Sequence, residues 1–77
     1  MRTEKQAEKI AEKILTYTKT YQTTKAIIFV EKLKNVKILK YKKYRTDNKI
    51  YHNKNYKTFA VQKTYFGDYL VFEIFYK

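Results

Sequence analysis

The apolar residues of this chain change their spacing once, near residue 25. Before that point they recur every three or four positions. Ala7, Ile10, Ala11, Ile14, Leu15 and Thr18 make one helical stripe, and the spacing predicts a helix over 3–21. Thr3 stands just before the stripe and Gln6 three positions later, a pattern that satisfies the free N–H groups of a helix start. Glu4, Glu8 and Glu12 alternate with Lys5, Lys9 and Lys13 outside the stripe, where partners three apart pair weakly. After residue 25 the spacing becomes two, the period of a strand. Strands are predicted over 26–33, 36–45, 49–52, 56–66 and 69–76. A helix with one apolar stripe needs a surface on which to bury it, and an antiparallel sheet provides one. The expected fold is therefore α+β: an N-terminal amphipathic helix packed on a four- or five-stranded antiparallel sheet, in one domain spanning 1–77.

Turn chemistry constrains the register. The chain has a single glycine and no proline. Gly67-Asp68 reads as a two-residue hairpin loop, with glycine supplying positive φ. That loop would pair Tyr65 with Leu70, Val61 with Ile74 and Phe59 with Tyr76, and set those side chains on a single core-facing row. Asp47-Asn48 reads as a second turn, which would set Lys43 opposite His52 and Tyr44 opposite Tyr51. Tyr17 and Tyr21, one helical turn apart, are expected to cover the sheet edge.

Size limits how much this fold can bury. A chain of 77 residues hides only roughly two thirds of its unfolded surface, so the core is thin. There is no cysteine to reinforce it, while nine tyrosines and five phenylalanines offset the deficit in part. Hydrophobic residues at 44% separate the chain from a disordered basic tail. A homodimer through residues 66–76 is a further expectation, since an apolar patch on an edge strand would favour a second copy.

Charge is the main functional signal. Residues 32–63 carry eleven basic side chains and one acid, Asp47, so this stretch holds +10 of the chain's +11. Tyrosines are interleaved with those bases. Lysines neutralise phosphates and flat rings stack on bases, so the mixture suits nucleic acid, DNA or RNA. The candidate contact residues are Lys37, Lys40, Tyr41, Lys42, Lys43, Tyr44, Arg45, Lys49, Tyr51, Lys54, Tyr56 and Lys57. Such a set has little hydrogen-bonding diversity, so low sequence specificity is expected. With no apolar run before Ile10 and none longer than Ala26–Val30, neither a signal peptide nor a membrane partner is expected, and a cytoplasmic location follows by default.

Most catalytic designs are excluded by inventory. The chain has no Ser or Cys for a covalent nucleophile, one Gly where a phosphate loop needs several, and one His where zinc needs more. No cofactor and no metal site is expected. RNA cleavage by 2′-OH attack remains open, because it needs only an acid, a base and cations. His52, Tyr44, Tyr51, Arg45 and Lys43 could supply them. The stretch Phe66-Gly67-Asp68-Tyr69-Leu70-Val71-Phe72-Glu73-Ile74 resembles the hydrophobic strand of RelE/ParE-type toxins. That resemblance implies a metal-independent ribonuclease. Its family places a strand and two helices before the main sheet, an order this sequence departs from, so no site residue is carried over. Three functions therefore stand in order: a non-catalytic nucleic-acid binder; a protein-interaction module, such as a phage or plasmid inhibitor of an acidic or nucleic-acid-processing partner; and a toxin-type ribonuclease.

Overall fold

In the computed structural model, which describes residues 1–77, the order of elements is α1 (Glu4–Lys19), α2 (Thr23–Glu31), β1 (Val36–Tyr41), β2 (Lys49–Asn53), β3 (Lys57–Lys63) and β4 (Tyr69–Phe75). The four strands form one antiparallel sheet in the order β1-β4-β3-β2. This is the expected α+β class, with two helices where one was predicted.

The N-terminal helix follows its sequence signals. Thr3 Oγ1 accepts from the Gln6 N–H at 3.2 Å, and Gln6 Oε1 accepts from the Thr3 N–H at 2.8 Å. Ala7, Ala11, Ile14 and Leu15 are buried against Ala60, Phe72 and Ile74 of the sheet. Helix α1 lies across β3 and reaches β2 and β4 on either side.

The predicted strand over 26–33 is instead helix α2. Its β-branched run favours a strand locally, but burial decides otherwise. Ala26 and Val30, one helical turn apart, are both buried in the core. Tyr17 packs on Phe29 with ring centroids 6.3 Å apart, so it covers α2 and not a sheet edge.

The last hairpin keeps its glycine turn but not its predicted register. Its loop is five residues long, closed by the Thr64 N–H on Asp68 O (2.6 Å) and the Gly67 N–H on Thr64 O (3.1 Å). Gly67 has φ +90°, so glycine is needed there as expected. Val61 faces Val71 and not Ile74, and Thr58, Ala60 and Gln62 lie opposite Ile74, Phe72 and Leu70. The shift is odd, so it turns one strand over relative to the other. Val61 and Ile74 therefore lie on opposite faces, and Tyr65 leaves the core row for the exposed loop. Packing explains the choice. Small Ala60 and Thr58 opposite bulky Phe72 and Ile74 make room for Ala7 and Ala11 to approach closely.

Two further expectations change with the topology. Strand β4 is hydrogen-bonded on both sides, so it has no free edge, and Val71 on it is buried. This removes the edge-pairing basis for a homodimer through residues 66–76, and of the expected apolar patch Phe66 stays exposed while Val71 does not. The predicted strand 36–45 ends at Tyr41, and β1 pairs with β4 and not with β2. The Asp47-Asn48 turn therefore joins no hairpin.

Candidate nucleic-acid interface

Residues directly opposite in the register share a face, so the side of the sheet away from the helices can be followed row by row. One row is Tyr41, Tyr69 and Lys63. The next is Leu39, Val71, Val61 and Lys49. A third is Lys37, Glu73, Phe59 and Tyr51, and a fourth holds Phe75, Lys57 and Asn53. No helix covers this face. The segment 42–48 folds back over it and lays the Tyr44 ring 5.5 Å from Tyr41, 6.3 Å from Tyr69 and 6.5 Å from Tyr51. Tyr44 thereby spans the valine row, and Val61 and Val71 are buried although no helix reaches them. The Tyr44 and Tyr51 hydroxyls are hydrogen-bonded to each other. Tyr51 stacks on Phe59 at 4.8 Å and 19°.

The cluster stays partly open. Tyr41 is exposed, while Tyr44, Tyr51, Phe59 and Tyr69 are half-buried. A shallow cavity of about 550 Å³ lies over the rings, bordered by Tyr41, Tyr44 and Tyr51 together with Lys43, Arg45 and Lys49. Lys37 and Lys57 flank the Phe75 ring, their ammonium groups 5.6 Å and 5.1 Å from its centroid. Lys63 lies 6.0 Å from the Tyr69 ring.

Among the strand residues of this face one carboxylate sits with the bases. Glu73 is only 8% exposed and is held by Lys57 at 3.2 Å. Lys37, Lys43, Arg45, Lys49 and Lys63 have no acidic partner within ion-pair distance. Burial pushes the Tyr44 hydroxyl above its usual pKa. The Asp47 carboxylate beside Tyr69 raises that phenol as well. Both rings stay neutral in the physiological range, so they add no negative charge to the basic surface.

Comparison with known families, curated proteins and solved structures returns no match to this chain.

The fold gathers Lys37, Tyr41, Lys43, Tyr44, Arg45, Lys49, Tyr51 and Lys57 on or over one face, with Lys42 exposed in the same connection. Three candidates lie elsewhere. Lys40 falls in register with Leu70 on the helix side and pairs with Asp68 at 3.3 Å. Tyr56 packs edge-on against Tyr76, 6.0 Å away, and Lys54 is exposed in the same β2–β3 turn. His52 is also on the helix side. Its Nδ1 lies 2.7 Å from Thr58 Oγ1 and 3.7 Å from Glu4. It is thus separated from Tyr44, Tyr51, Arg45 and Lys43, and these residues do not form the acid–base set that RNA cleavage would need.

Four residues of the face escaped the sequence reading as contacts: Phe59, Tyr69, Lys63 and Phe75. The missing signal was the length of the Thr64–Asp68 loop. A five-residue loop closed by Gly67 would have turned Phe59 from the core row to the face that carries Tyr51.

Proposed function

We propose that this protein is a non-catalytic nucleic-acid-binding domain that takes single strands across the open face of its sheet. The observation that carries the reading is the row-by-row alternation of half-exposed rings with unpaired cations around Tyr41, Tyr44 and Tyr51. Rings offer bases a stacking surface, and Lys37, Lys43, Arg45, Lys49 and Lys63 lie where a backbone would pass. Single strands fit better than duplex, because only they leave base faces free to meet the rings. Phosphate contacts and stacking read little sequence, so discrimination among sequences should be weak.

Gel shifts with single- and double-stranded DNA and RNA test this directly. With about four to six phosphate contacts, log K should fall against log salt with a slope of roughly −3 to −5. Failure to retard any of the four nucleic acids at low salt would refute the proposal. It would pass the basic face to an acidic protein partner.

A further inference from the structure

A second cleft lies on the opposite side of the sheet, where the corner between α1 and α2 meets the end of β3. Its volume is about 380 Å³. Tyr21 and Tyr65 both border it, and they are 90% and 92% exposed. Tyr65 meets only the Phe66 ring edge-on, 5.6 Å away, and Phe66 is itself exposed, so neither Tyr21 nor Tyr65 contributes much to the core.

Tyr21 is also strained. Helix α1 ends in a motif in which the Tyr21 N–H donates to Thr18 O (3.1 Å) and the Gln22 N–H to Tyr17 O (2.8 Å). The residue after the helix cap then adopts positive φ, here +58°. That position belongs to glycine, because a side chain there crowds the backbone. A bulky, solvent-facing tyrosine in this place works against stability. Strain of this kind concentrates at functional sites.

The wall of the cleft holds unsatisfied polar groups. Gln62 is only 5% exposed, and its Nε2 donates to Thr23 Oγ1 at 2.8 Å. Its Oε1 has no partner, nor does the buried hydroxyl of Thr64, two residues on. Both residues line the cleft, as does exposed Lys19. The cleft thus combines stackable rings, a dry carboxamide acceptor, a hydroxyl that can donate, and a cation.

We propose that this cleft binds a single unstacked nucleotide. The base lies against Tyr21 and Tyr65, its exocyclic amine donates to Gln62 Oε1, and its neighbouring ring nitrogen accepts from Thr64. Lys19 meets the phosphate. On the Watson–Crick edge, an amine beside a ring nitrogen acceptor belongs to adenine or cytosine, and carboxamides also accept from the adenine amine when they read it. Neither tyrosine ring is buried, so both can swing to admit the base. Lys63 and Asn48 also border this cleft, but the groups that would hold the base and phosphate, Tyr21, Tyr65, Gln62, Thr64 and Lys19, are not those of the sheet-face reading.

Two-dimensional NMR of the isotope-labelled protein tests it, with AMP, CMP, UMP, inorganic phosphate and a short oligoadenylate as probes. AMP and CMP should shift the signals of Tyr21, Gln62, Thr64 and Tyr65, and UMP should do so more weakly. Inorganic phosphate should not. If the natural source is a strand, the oligonucleotide should bind the cleft more tightly than AMP. If it is a free nucleotide, AMP should bind at least as tightly. Tyr21→Gly should raise the unfolding midpoint and weaken AMP binding about fivefold to a hundredfold, the value of one stacked ring. Tyr65→Ala, on an exposed turn, should weaken it similarly without changing the fold. Unchanged AMP affinity in both variants would overturn the inference, as would equal shifts with phosphate alone. A silent cleft beside a sheet face that binds strand would overturn this inference and leave the sheet-face proposal standing. A cleft that binds AMP while no strand binds the sheet face would do the reverse.

Discussion

The two faces of this sheet are both buried at their centres, but by different means. On one face the helix α1 closes over Ala60, Phe72 and Ile74 with Ala7, Ala11 and Ile14, all without solvent exposure. On the other, Val61 and Val71 are covered by one irregular segment and its Tyr44 ring. The first cover is a regular element whose own hydrogen bonds are internal. The second is a loop that carries Lys42, Lys43 and Arg45 and leaves its rings half in water. A small domain cannot make both faces equally dry. The helix side supplies the stability, and the loop side keeps its aromatic and charged groups accessible.

The largest expected effect tests that division. Phe72→Ala on the helix side should cost roughly 3–5 kcal/mol, a large part of the stability of so small a domain. Val61→Ala under the loop should cost on the order of 2 kcal/mol, from two methylene-sized groups and a site that can collapse. Urea unfolding of both variants measures the difference. Equal losses would mean that the loop side is as rigid a core as the helix side.

Charge should behave in the opposite sense. Changing Lys37, Lys43, Arg45 and Lys49 to Glu should reduce nucleic-acid affinity by at least about a hundredfold. It should move stability far less, because exposed substitutions away from packed groups usually shift it within ~0.5 kcal/mol each. The sharper control is Lys40→Glu with Lys54→Glu. Both residues are basic and exposed, yet both lie off the open face. If this pair weakens binding as much as an equal number of changes on the face, position does not matter and the sheet-face reading fails.

Tyr44 joins the two kinds of effect. Its ring covers the valine row and meets Tyr41, Tyr51 and Tyr69, so Tyr44→Ala should cost both stability and stacking. About 1–3 kcal/mol of binding is at stake for one stacked base. Tyr44→Phe keeps the ring and loses only the bond to the Tyr51 hydroxyl, so its affinity should stay close to that of the parent. Equal losses in both would place the role of Tyr44 in its hydroxyl.

How far the sequence could be read follows the same division. The helix α1, its Thr3–Gln6 cap and its apolar stripe were legible because periodicity and capping are local. The α+β class followed from them. Helix α2 was not legible, because Ile27, Ile28 and Val30 favour a strand locally and the burial of Ala26 and Val30 in the core decides for a helix. The strands of 57–75 were legible as strands but not in register. Their alternation is apolar on both faces, so no face is marked as the wet one, and loop length alone fixes the pairing. Lys37, Tyr41, Tyr44 and Tyr51 were found as site candidates by composition. Tyr69 and Lys63 were not, because they reach the site across β4 and β3, and a strand order of β1-β4-β3-β2 leaves no local trace.

The smallest expected effect depends on pH. Burial is the first cause that raises the Tyr44 phenol, so the folded protein favours its neutral form more than the unfolded chain does. A group of this kind contributes fully below its unfolded pKa, about 10 for tyrosine. Its contribution is lost as pH rises through the higher folded value. The difference between the unfolding curves of the parent and Tyr44→Phe reads this phenol together with its hydrogen bond to Tyr51. That difference should be flat between pH 6 and 9 and should narrow in favour of Tyr44→Phe above about pH 10. Tyr76 on the helix side is also raised, chiefly by burial, and remains in both proteins. A difference that changes near neutral pH would show that the substitution disturbs something other than the phenol. The loop over the valine row would then be held by charge rather than by its ring.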